Sequence, residues 1–110
     1  MRASERRDAR VGVWWLAMAL LTDSEIHERL AGAPRWRREG EQIVCERTFT
    51  DFVSAIAFVD RVAELAQDAN HHPDILVHGY KHVRLTLSTH SQGGLTAADF
   101  ELAGRIDGLD

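Results

Sequence analysis

Five of the six histidines in this 110-residue chain fall within residues 68–90, in the stretch "DANHHPDILVHGYKHVRLTLSTH". Imidazoles at that density could bind a metal, decorate a surface or move protons. Structural zinc sites lean on cysteine and on H-x₃₋₅-H spacing, and helical catalytic sites on H-E-x-x-H. The chain has a single cysteine, Cys45, and no H-E-x-x-H. His78 and His82 stand four apart, but a turn separates them, and they read as exposed hairpin residues. No metal is therefore expected. An imidazole titrates near pH 6.5, so it can give or take a proton at neutral pH and contributes roughly 10²–10⁴ in rate when positioned. His71 follows a long helical pattern, where the helix dipole favours the protonated ring and a role as general acid. Covalent and nucleotide chemistries lack a motif, since there is no G-x-S-x-G elbow and no glycine-rich phosphate loop. On residue types alone, satisfied structural histidines remain an alternative to proton transfer.

The elements that must hold these residues follow from the periodicity. Thr22, Asp23 and Ser24 offer caps for a short helix through "EIHERLAGAP", which Gly32 and Pro34 close. "RWRREGEQIVCERTF" reads as two strands turning at Gly40, with Ile43, Cys45 and Phe49 facing inward. From Thr50, a potential cap, the spacing becomes helical: Phe52, Ala55, Ile56, Val59, Val62, Ala63 and Ala66. Val53, Ala57, Phe58 and Leu65 widen that apolar surface beyond one stripe, which calls for a second partner such as another copy of the chain. Pro73 stops this helix and sets His72 at the corner. "DILVHGY" and "HVRLTLSTH" then form a hairpin, with His82, Arg84, Thr86, Ser88 and His90 on one face of the second strand and Val83, Leu85, Leu87 and Thr89 on the other. After "SQGGL", Thr96 and Asp99 have capping-box spacing ahead of a last helix carrying Phe100, Ala103 and Ile106. The order α-β-β-α-β-β-α predicts an α+β fold, a four-stranded antiparallel sheet with helices on one face.

Composition narrows the class of function. The net charge of −4 provides no basic field for nucleic acid. At this length the chain suits one domain, which hides about two-thirds of its unfolded surface. A lone cysteine fits a reducing cytoplasm. At the N-terminus, "MRASERRDAR" precedes "VGVWWLAMALL", an apolar run too short for a bilayer, which takes roughly 20 residues. A basic start and an apolar run resemble a secretory signal, but the polar "TDSEIHERL" follows with no small-x-small cleavage site. Residues 1–17 are therefore expected to be an extension outside the fold, with Met18 opening a single domain over residues 18–110.

The segment "HHPDILVHGY", with "STH" and "GGLTAADFELA", resembles the pterin-4a-carbinolamine dehydratase (DCoH) family. The pattern is His-His-Pro, an aromatic residue, a later histidine and an aspartate opening the last helix, met here by His71, His72, Pro73, Tyr80, His90 and Asp99. Trp36 and "FTDF" also look like the family. One position departs: the family often places an ionisable residue four before the first histidine, and Gln67 stands there. The resemblance implies dehydration of 4a-hydroxytetrahydropterin to quinonoid dihydropterin, the step that recycles the pterin of an aromatic amino-acid hydroxylase. It needs neither metal nor cofactor. His71, His72 and His90 would be catalytic, with His72 orienting the substrate, and Trp36, Ser88, Thr89 and Asp99 would bind the pterin. Core filling competes for Trp36, and helix capping competes for Asp99. A homodimer or homotetramer in the cytoplasm is implied, without direct nucleic-acid or membrane partners. Some relatives resemble dimerisation, coactivator or assembly modules, and that is the alternative to the enzyme.

Overall fold

The computed structural model describes residues 19–109; the expected N-terminal extension, the signal-like run up to residue 18 and Met18 itself lie outside the described residues. Thr22 caps the first helix, α1 (Asp23–Ala31), in a capping box: its hydroxyl accepts from Glu25 N (3.1 Å) while Glu25 Oε1 accepts from Thr22 N (2.8 Å). Strands β1 (Trp36–Glu39) and β2 (Gln42–Thr48) form a hairpin in which Glu39 faces Gln42. Gly40 supplies the positive φ of 62° that this tight turn requires.

Helix α2 (Phe52–Ala69) starts at Asp51, not at the expected Thr50: the Asp51 carboxylate accepts from Ser54 N at 2.8 Å. That backbone donation, with help from the Ser54 side chain, holds the Asp51 carboxyl below its ordinary value. Because the folded value is the depressed one, this cap is fully in force above the ordinary aspartate range and is lost as pH falls through the folded value. The buried stripe of α2 is Ala55, Phe58, Val62 and Ala66, so Phe58 belongs to the core. Phe52, placed on that stripe from its spacing, is instead exposed together with Val53. The helix ends in a Schellman motif, with Asn70 left-handed (φ 51°) and His71 N donating to Ala66 O at 3.0 Å.

Strands β3 (Asp74–His78) and β4 (His82–Leu87) pair antiparallel, and the sheet order is β1-β2-β4-β3. The expected α+β architecture is found, with α3 (Ala97–Asp107) closing the chain. Alternation along β4 buries Val83, Leu85 and Leu87, which with Ile43 and Cys45 face Ile26, Phe58, Val62, Leu102 and Ile106 of the helical layer. Burial pushes the Cys45 thiol up, so it is a packed apolar group rather than a thiolate. Strand β4 stops at Leu87, short of the expected His90. Thr89 makes one isolated bridge to Gly94, and residues 90–92 form a 3₁₀ turn ended by Gly93 at φ 75°. His90 consequently leaves the alternation of His82, Arg84 and Thr86.

Trp36 is core. It is 4% exposed, and its Nε1 donates to Asp107 Oδ1 at 3.0 Å, tying β1 to the end of α3. Trp36→Phe removes that bond and leaves a small gap, so it should lower unfolding free energy by about 1–3 kcal/mol, read from urea denaturation. Among the described residues, no helix is long and apolar enough to cross a membrane.

Candidate active site

Two segments far apart in sequence build the site. The Schellman turn ending α2 delivers Asn70, His71 and His72, and Pro73 forces the chain away into β3. The bridge and 3₁₀ turn after β4 deliver Ser88, Thr89, His90 and Ser91. Together these seven residues line an open cleft of about 370 Å³, within the range of small-molecule sites. His71, His72 and His90, separated by up to nineteen positions in the sequence, thus meet at one place.

Behind the cleft lies a buried carboxylate. Asp99 is fully buried, and its Oδ1 lies 2.6 Å from His71 Nε2. Its Oδ2 accepts from Thr89 Oγ1 at 2.8 Å and from Thr96 N at 2.9 Å. The Thr89 and Thr96 hydroxyls are themselves 2.8 Å apart, and Thr96 Oγ1 accepts from Ala98 N. A buried carboxylate is tolerated when its lone pairs are met by donors, and this one is met by a hydroxyl, a backbone amide and an imidazole. Such a partner fixes ring orientation and tautomer, as carboxylates behind working histidines do. His71 Nε2 is engaged by Asp99, so Nδ1 is the nitrogen left for a ligand.

His72 is held by another device. Its Nε2 donates to Gln67 Oε1 at 3.1 Å across the last turn of α2, so in the neutral ring Nδ1 keeps the lone pair. Ser88 Oγ donates to the Glu41 carbonyl at 2.8 Å, which anchors the segment to the β1–β2 turn. The cleft thus offers proton-carrying rings on a supported frame, the equipment of acid–base chemistry. Among the described residues, no group of three or more His, Cys, Asp or Glu side chains is placed to hold a metal ion.

Of the residues expected at the site, His71, His72, His90, Ser88 and Thr89 line the cleft, and Trp36 does not. Asp99 takes the capping box of α3 and holds His71 at once, and it is not among the lining residues. Asn70, Ser91 and Thr96 were not singled out as site residues. Asn70 had a signal, because asparagine tolerates the left-handed position after a helix. Ser91 had none.

A fold of this topology with histidines gathered between the end of α2 and the turn after β4 defines a small α+β protein with a histidine-lined cleft. The chain belongs to the pterin 4 alpha carbinolamine dehydratase family, whose model matches residues 19–109. A relative from Acidobacterium capsulatum, provisionally named a pterin-4-alpha-carbinolamine dehydratase, is 50% identical over 92 residues, covering 84% of this chain and 99% of its own. One from Roseiflexus castenholzii with the same provisional name is 52% identical over 89 residues, 81% of this chain and 95% of its own. Among solved structures, a transcriptional coactivator/pterin dehydratase from Brucella melitensis superposes with a TM-score of 0.76 at 33% identity, over 81% of this chain and 96% of that one. A pterin dehydratase-like protein identified as a RuBisCO assembly factor in the alpha-carboxysome gives 0.55 at 28% identity, over 66% and 84%.

Proposed function

We propose that the chain dehydrates 4a-hydroxytetrahydrobiopterin to quinonoid dihydropterin by histidine acid–base catalysis, the recycling step that follows an aromatic amino-acid hydroxylase. The observation that carries this reading is the meeting of His71, His72 and His90 in one cleft, with His71 tied to buried Asp99. Loss of water requires a proton delivered to the departing C4a hydroxyl and a proton removed from N5, and the C4a–O bonding pair leaves with the water. His71 and His90 exchange these two protons, and His72, pinned by Gln67, orients the heterocycle. Ser88 and Thr89 border the ring, and no metal or cofactor enters the reaction. The reading includes a cytoplasmic homodimer or homotetramer. The test follows 4a-hydroxytetrahydropterin by ultraviolet absorbance with chelator present. A rate well above the uncatalysed background supports the enzyme, and a rate equal to background overturns it.

One observation favours a second reading, a non-catalytic dimerisation, coactivator or assembly role. Phe52 and Val53 stand 51% and 75% exposed on α2, where with Ile56 and Ala57 they border a shallow apolar groove, more bare apolar surface than catalysis calls for. A background rate in the assay above would favour this role.

Gln67 also makes a testable difference. A carboxylate beside His72 Nε2 would favour the imidazolium where the amide only accepts a hydrogen bond. Gln67→Glu should therefore move the pH dependence of KM, to which His72 contributes as the orienting ring, toward higher pH. An unchanged profile and rate would show that the amide is equivalent at this position.

A further inference from the structure

His78 ends β3 and His82 opens β4, and the antiparallel register sets them directly opposite each other. Ile75 and Val77 of β3 and Val83, Leu85 and Leu87 of β4 pack toward the helices, so alternation puts both histidines on the opposite face of the sheet. Their ring centroids are 5.3 Å apart, with planes inclined by 31°. The connection is short and stiff: Gly79 and Tyr80 are both left-handed, at φ 53° and 56°, and Lys81 N donates to Gly79 O at 2.7 Å. A Cβ at Gly79 would come within 2.9 Å of His82 Cδ2, so the His82 ring is seated against the turn itself. Thr48, opposite His82 on β2, places its hydroxyl 2.9 Å from His82 Nδ1. One nitrogen of that ring is therefore held and Nε2 is left, the arrangement in which metal-binding histidines are kept by an outer partner.

The spacing is one that ordinary ring pairs adopt, and it also admits an ion shared by the two rings. A Zn–N bond of about 2.0–2.1 Å puts each ring centre about 3.2 Å from the ion, and a tetrahedral angle between two such ligands separates the ring centres by about 5.2 Å. We propose that His78 and His82 form a two-imidazole site for a borderline divalent transition cation such as Zn²⁺, on the sheet face away from the helices and separate from the cleft. Water fills the remaining positions, so the ion exchanges freely and is not a structural staple. The surrounding charges are compatible with a cation. Glu46 on β2, paired with Arg37 at 2.8 Å, also lies within electrostatic reach of His78. Two cations of the same hairpin have other partners: Arg84 donates to Glu39 Oε1 at 3.0 Å, and the Lys81 ammonium sits 5.6 Å from the centre of the Tyr80 ring.

The experiment is calorimetric titration of tag-free full-length chain with ZnCl₂, for the wild type, His78→Ala and a cleft variant carrying His71→Ala with His90→Ala. The expected result is one equivalent bound by the wild type and by the cleft variant. His78→Ala should bind weaker by roughly 10- to 100-fold, at least what loss of an outer partner costs a metal site. His78 is an exposed strand-end residue, and a circular-dichroism melt checks that its variant folds, with His78→Gln as the substitute if it does not. Wild-type-like binding by the His78 variant, loss of binding in the cleft variant alone, or no heat with the wild type would each overturn the proposal.

Discussion

Replacing both His71 and His90 by alanine should lower kcat/KM for 4a-hydroxytetrahydropterin by roughly 10²–10⁴-fold, the range that a positioned acid–base group contributes. In the proposed elimination one ring acts at the departing oxygen and the other at N5. Their losses should therefore not add, and the double variant is expected close to the worse single variant. His72→Ala should differ in kind. Its ring is pinned at Nε2 by Gln67 and is assigned to orienting the heterocycle, so KM should rise more than kcat falls. Equal kcat losses for all three single variants would reject this division of labour.

Asp99→Asn is expected to be the most damaging near-isosteric change in the chain. Three donors converge on the carboxylate: His71 Nε2 on one oxygen, and the Thr89 hydroxyl with the Thr96 amide on the other. An amide cannot meet all three. If its NH₂ faces Thr96, two N–H groups oppose each other in a fully buried place. If its NH₂ faces His71, the imidazole must present a lone pair at Nε2 and carry its proton on Nδ1, the reverse of the wild-type arrangement. The second choice avoids a buried mismatch only by moving the His71 proton to Nδ1, and the first leaves one of about 1–3 kcal/mol. For a domain of this size that is a fall in Tm of roughly 4–8 °C per kcal/mol. Activity should fall about 100-fold, the upper end of the effect of an outer partner on its histidine. A merely structural aspartate would move Tm alone. The distinguishing readouts are the pH–rate profile and the ¹⁵N shifts of the His71 ring, which report the tautomer directly.

Much of the fold was legible because its signals are local. Thr22 with Glu25 and Thr96 with Asp99 are capping boxes written within four residues, and the turn glycine at 40 separates two strand patterns. Errors came where two local options compete. Thr50 and Asp51 are both capable caps, and the geometry chose the residue whose carboxylate reaches Ser54 N. On α2, Phe52 and Phe58 both suit an apolar face, and only the sheet determines that Phe58 is the one enclosed. The apparent run of β4 through His90 ignored what Gly93 and Gly94 permit, a turn that folds back on Thr89. The contacts that complete the site are long-range. Asp99 reaches His71 across 28 positions and Trp36 reaches Asp107 across 71, and no periodicity encodes such a meeting. Capping spacing announced what Asp99 does for its own helix and was silent about the imidazole.

The Schellman turn and the Asp99 contact have a joint consequence for how this cleft could be switched off. The backbone of His71 is bolted to α2, but its ring is steered from α3, which contributes none of the residues bordering the cleft. Helix α3 is held by its buried Leu102, Ala103 and Ile106, and its register is set by contacts such as Trp36 to Asp107 and Arg105 to Asp68. A partner, truncation or insertion that peeled this terminal helix away would leave every cleft-lining side chain in the chain and still disarm it, as a lock fails when its spring is removed although the key still fits.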